Sequence, residues 1–149
     1  KYRNRNVTPL PWAVTKTSLG IVFRMLGESE QSAEFLNAAE KSFTDALKIH
    51  TKARYPKKYA ALQNNLGVTY RTLAKISDFN ANCAKARQSY ETALAAISKE
   101  NHPDLYHRVQ ANIKPEQVTS ELIEQIYELP VELGEPNQTP FVMPRWLGP

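Results

Sequence analysis

The chain of 149 residues predicts an all-helical fold built from repeated helix pairs. Pro9, Pro56 and Pro103 fall at a constant spacing of 47 residues, and many positions between them match at that same offset. Apolar residues recur at steps of three, four and seven, the stripe of an amphipathic helix rather than the alternation of a strand. Prolines otherwise gather at element edges, as they must if they are to spare helix interiors.

Each unit opens on its proline, which the first turn of a helix accepts because the missing N–H has no intrahelical partner there. The first helix of unit one carries Trp12, Leu19, Val22, Phe23 and Leu26, and that of unit two Tyr59, Leu62, Leu66, Tyr70 and Leu73. Polar stretches over 27–32 and 75–82 then separate it from a second helix. That second helix is marked by Phe35, Leu36, Ala39, Phe43, Ala46 and Leu47, and in unit two by Ala86, Tyr90, Ala93, Leu94 and Ile97. Gly20 and Gly67 sit mid-helix at equivalent positions, where glycine costs about 1 kcal/mol relative to alanine. A cost repeated in register predicts close approach by a neighbouring helix, with Phe43 and Tyr90 filling the space between.

The pattern Leu19-Gly20-x-x-Phe23 followed by Ala39-x-x-x-Phe43-x-x-Ala46-Leu47 resembles the tetratricopeptide repeat (TPR). Unit two repeats it as Leu66-Gly67-x-x-Tyr70 and Ala86-x-x-x-Tyr90-x-x-Ala93-Leu94. The unit exceeds the usual ~34 residues, and the segments Gln63-Asn64-Asn65-Leu66 and Asn101-His102-Pro103-Asp104 resemble the long-helix branch of the family, similar to kinesin light chains and many bacterial TPR proteins. The resemblance implies an α-solenoid of antiparallel helix pairs over 9–114, divided as 9–55, 56–102 and a partial 103–114, after a basic extension over 1–8. In the third unit Lys114 replaces the glycine and Pro115 stops the helix. An acidic helix is expected over 115–129, with Val118, Leu122, Ile123, Ile126 and Tyr127 on its apolar side; it would cap the array, whose outer face must meet water, the alternative being that it docks a partner. Five prolines over 130–149 exclude a helix there. The apolar Phe141, Met143 and Trp146 predict an extended arm laid in a groove of this chain or of a neighbour.

Charge is segregated. Residues 1–27 hold five basic and no acidic side chains, 48–75 hold seven and none, and 116–149 hold six glutamates against Arg145 alone. Such opposition predicts internal complementarity or a partner of mixed charge. Nucleic-acid binding is the disfavoured alternative, because the basic stretches lack the Gly-rich aromatic motifs of RNA-binding sheets. No apolar run reaches the ~18 residues of a membrane span. The lone Cys83 fits a reducing compartment; a cytoplasmic location is expected, or an organellar interior if a leader has been removed.

Nothing in the sequence carries recognisable chemistry, so no enzyme, cofactor or metal site is expected. His102 and His107 are five apart, off the i, i+4 geometry of a helical metal pair. Cys83 is expected in a polar loop without an adjacent base. Binding has more content. The resemblance implies that first helices line a concave partner surface, and it assigns Thr17, Ile21 and Arg24 to it, together with Val14 and Met25. In unit two the equivalents are Asn64, Val68 and Arg71, with Ala61 and Thr72, and in unit three Arg108 and Ala111. Arg24 and Arg71 would form a two-rung basic ladder for carboxylates, unless they pair with Glu28, Glu30 or Glu34. The lysine–asparagine clamp of chaperone-binding TPRs is absent, since Thr17 with Ile21 and Asn64 with Val68 stand in its place. The expected function is thus a non-catalytic scaffold or adaptor that holds a partner segment in the groove. The alternatives are a structural subunit of a larger nucleoprotein or membrane-associated assembly, or an oligomer, with the arm wrapping a neighbour, and an accessory domain of a longer enzyme or sensor.

Overall fold

The computed structural model describes residues 9–113, and among these every regular element is helical. Helices α1 (Pro9–Glu30), α2 (Ala33–Leu47), α3 (Pro56–Ala74) and α4 (Phe79–Leu94) are followed by a helix over 103–113, here α5. The prolines at 9, 56 and 103 open α1, α3 and α5, as the helix-start argument requires. The helix expected over 115–129 and the arm over 130–149 lie outside the described residues.

Two loop expectations need correction. The stretch over 27–32 is not a loop: α1 continues through Gly27 to Glu30, and only Gln31 and Ser32 separate it from α2. Gly27 is there for proximity, not for a turn, since a Cβ on it would lie 2.5 Å from Cγ of Leu36. The chain reverses instead at Gln31, which adopts φ 51°. Ser32 then caps α2 by accepting a 3.5 Å hydrogen bond from the Phe35 amide. In unit two the reversal falls on Asp78, at φ 44° and 47 positions after Gln31, so α4 begins at Phe79 inside the expected polar stretch. Cys83 therefore lies on α4, half-buried, and not in a loop.

The mid-helix glycines do what their cost implied. A Cβ on Gly20 would come within 2.5 Å of the Phe43 ring, and one on Gly67 would run into the Tyr90 ring. Both rings are fully buried, and each such side chain contributes on the order of 1.5–3 kcal/mol through burial. Helix α1 thereby pairs with α2, and α3 with α4, while α2 also packs on α3. One core cluster joins Ala39, Phe43 and Ala46 of α2 to Leu62 and Leu66 of α3. The other joins Ala86, Tyr90 and Ala93 of α4 to Ala60 of α3 and to Leu105 and Val109 of α5. Val109 follows Leu62 by 47 residues, and each packs on the small–aromatic–small stripe of the second helix before it.

Tyr70 ties three helices together. Its hydroxyl donates to Oε1 of Glu40 on α2 at 2.7 Å, and Nζ of Lys85 on α4 lies 5.4 Å from its ring centroid. Burial and the Glu40 carboxylate both push the phenol far above its ordinary range. At the other end of the pair α1–α2, Asp45 accepts from Lys48 at 2.7 Å and meets Lys16 of α1 at 3.3 Å. The Lys48 hydrogen bond leads in holding its carboxyl below the usual range.

The apolar stripe of α1 departs from expectation in one respect. Leu19, Val22 and Leu26 were expected on a buried face, yet Leu19 is 41% exposed where its repeat equivalent Leu66 is 5% exposed. The reason is positional: Leu66 lies under α2, and among the described residues no helix precedes α1.

Candidate protein-interaction site

The positions assigned to the groove lie on α1, α3 and α5, and hydrogen bonds connect them from one helix to the next. On α1, the Thr17 hydroxyl donates to the Ala13 carbonyl at 2.8 Å, one turn back. Ile21 packs against the core beneath α2 and α3. Arg24 donates from one Nη to Oε1 of Glu28 at 2.7 Å, an i, i+4 pair that keeps the guanidinium mostly buried. The Thr72 hydroxyl of α3 donates chiefly to the Val68 carbonyl at 3.0 Å and reaches the same Glu28 oxygen at 3.5 Å. Glu28 thus sits between α1 and α3.

Farther along, Asn64 is buried on α3, and its side-chain oxygen accepts a 2.8 Å hydrogen bond from the Asn112 amide of α5. Arg71 donates weakly to the Asn112 carbonyl at 3.4 Å. Val68 packs against the core shared by α3, α4 and α5, and Arg108 is exposed on α5. The arrangement brings Asn64 and Arg71 together around Asn112, and it ties Arg24 to Glu28, one of the acidic partners weighed from sequence. Phe141, Met143 and Trp146 lie outside the described residues.

Glu28 and Asn112 carry more of this site than the sequence reading gave them. Asn112 had a signal, since Asn65 and Asn112 stand at the repeat offset of 47. Glu28 had only its i, i+4 spacing from Arg24. The electrostatic consequence is asymmetric. Arg24 is neutralised within its own helix, whereas Arg71 is half-buried and meets only a neutral carbonyl among the described residues. A guanidinium carries five donors in a fixed fork, so Arg71 retains capacity for an anionic group.

Among the described residues no group of three or more His, Cys, Asp or Glu side chains could hold a metal ion. No helix there is long and apolar enough to cross a membrane. His50, just after α2, is buried against Tyr55 with ring centroids 5.4 Å apart, edge to face. Desolvation first, and then the charge of Lys58, holds its imidazole below the ordinary histidine range. Its repeat equivalent is Ile97, so the position is one of packing. No family model, curated protein or solved structure matches the chain.

Proposed function

We propose that the chain is a non-catalytic, TPR-like interaction module. The surface shared by α1, α3 and α5 receives a segment of another protein bearing a carboxylate. The observation that carries this reading is Arg71, a half-buried guanidinium held beside Asn112 and Asn64 with no acidic partner among the described residues. Asn64 and Asn112 are engaged with each other and hold the α3–α5 contact beside Arg71, and an arginine fork so placed suits an acidic side chain or terminus. Arg24, already paired, serves to hold Glu28 between the first helices and is the lesser contact.

The test is capture of acidic, extended peptides from a synthetic array by the full chain. Arg71→Gln should reduce capture about tenfold or more, the size of one charge-assisted hydrogen bond of ~1.5–3 kcal/mol. Arg24→Gln should have a smaller effect. Undiminished capture by the Arg71→Gln protein would refute the assignment.

A further inference from the structure

We infer that the connection between α2 and α3, with the adjoining start of α1, docks on a membrane surface of anionic phospholipid. Lys48, Lys52, Arg54, Lys57 and Lys58 crowd together there, and all of them are exposed. Among the described residues only Lys48 meets a carboxylate, that of Asp45, which it shares with Lys16. The fold itself does not ask for this charge. At the repeat offset of 47 the same places hold Ala95, Lys99, Asn101, Asp104 and Leu105, with Glu100 among them. The equivalent connection of the second unit is therefore net negative. Lys57 and Lys58 also occupy the first turn of α3, whose positive end disfavours cations. No acidic side chain stands in that turn, and Tyr55 provides no side-chain cap. Positive charge gathered against local preference at one connection, and missing from its repeat, marks a surface for an anionic partner.

The make-up of the patch favours lipid over other polyanions. A cleft of about 360 Å³ opens at this place, where Pro9 and Leu10 of α1 and Ile49 share the lining with Lys48 and Arg54. Leu10 is 39% exposed, and Pro9 and Pro11 on either side of it are exposed as well. Apolar residues bordered by cations suit the bilayer boundary, where headgroup charge gives way to acyl chain. A nucleic-acid backbone offers such residues nothing, and a single strand would need open aromatic faces on which to stack its bases. Tyr55, the aromatic side chain of the cleft, is engaged: the His50 ring meets it edge to face at 5.4 Å, and Nζ of Lys58 lies 5.8 Å from its centroid. The cations also gather at one connection and do not run along a helix that could follow a groove. All but Arg54 are lysines. Their hydrated point charges on flexible stems suit diffuse attraction to a charged plane, whereas arginine forks suit pairing with individual carboxylates. Each cation near such a surface strengthens partition about fivefold.

Flotation of the full chain with vesicles tests this, comparing pure phosphatidylcholine with an equimolar mixture of phosphatidylcholine and phosphatidylserine. Binding is expected to the mixture alone, and it should weaken steeply as the Debye length falls from about 10 Å at 0.1 M salt to ~3 Å at 1 M. Arg54→Asn with Lys57→Asp installs residues that the second unit already carries, and by removing three charges it should reduce binding about a hundredfold. Its helical circular dichroism spectrum should be unchanged. Lys52→Gln, a lone exposed position, should reduce binding about fivefold, and Leu10→Ser several-fold at fixed salt. Arg71→Gln should leave binding as it is; a loss there would move the lipid contact to the groove and overturn the inference. Equal binding to the two kinds of vesicle would overturn it, as would full retention of the Arg54→Asn, Lys57→Asp protein by the mixture. So would duplex RNA that displaces the vesicles at equal phosphate concentration.

Discussion

Replacing Gly67 by alanine tests whether the glycine–aromatic contact sets the distance between paired helices. An exposed mid-helix glycine gains about 1 kcal/mol of stability on becoming alanine, because the backbone loses less freedom on folding. Here the added methyl would enter the Tyr90 ring, and that ring cannot swing aside. It is fully buried among Ala86, Ala93, Leu105 and Val109. Overpacking of this kind costs about 1–3 kcal/mol, and the rigid surroundings put the cost at the upper end. Set against the propensity gain, the net loss is about 2 kcal/mol, or roughly 5–10 °C in Tm for a domain of this size. Urea unfolding followed by circular dichroism measures it, provided the m-value is unchanged. The decisive arm is the pair Gly67→Ala with Tyr90→Leu. If the methyl and the ring compete for one volume, the double variant will be more stable than the sum of the single effects by ~1 kcal/mol or more. Gly67→Ala that is as stable as the parent, or strict additivity in the double variant, would refute the reasoning.

Two further changes probe positions outside that contact. His50 is held below its ordinary range in the folded chain, so the folded state favours the neutral ring. Its contribution is present in full above the unfolded value near 6.5 and is lost as pH falls from there through the depressed folded value. His50→Leu should therefore flatten the dependence of urea midpoint on pH below ~6.5, and an unaltered slope would remove His50 as its source. Asp78 holds a left-handed backbone at φ 44° and makes no side-chain cap to α4. Since that conformation costs a non-glycine residue on the order of 1 kcal/mol, Asp78→Gly should raise the thermal midpoint, and a lower one would show that the aspartate has a role there.

The helix starts and the glycine contacts were legible because each rests on local chemistry repeated in register. Proline can open a helix but not continue it, and a mid-helix glycine invites an explanation by proximity. The reversals at Gln31 and Asp78 were not legible, because glutamine does not favour a positive φ and aspartate, which adopts it more readily, stood inside a polar stretch with many such residues; their shared offset acquires meaning only once the backbone is seen. Gly27 misled for the opposite reason: near a helix end a glycine reads as a stop, and only the Leu36 side chain shows it to be a point of approach. The exposed apolar residues of α1 were misjudged because an apolar stripe states what it favours, not whether a neighbour is present to cover it. At the candidate site the residue types along each helix were legible, but hydrogen bonds between helices, such as Asn64 with Asn112, depend on how the units stack.

The two glycine–aromatic contacts join residues only 23 positions apart, Gly20 with Phe43 and Gly67 with Tyr90. Closure of each loop therefore orders a short stretch of chain, and contacts of such small separation form early and quickly. As the chain emerges during synthesis, the first pair can close before the second has been made, and the α2 face it presents is then ready to receive α3. Growth of the structure thus runs in the direction of translation, each completed pair offering a surface to the helix that follows it.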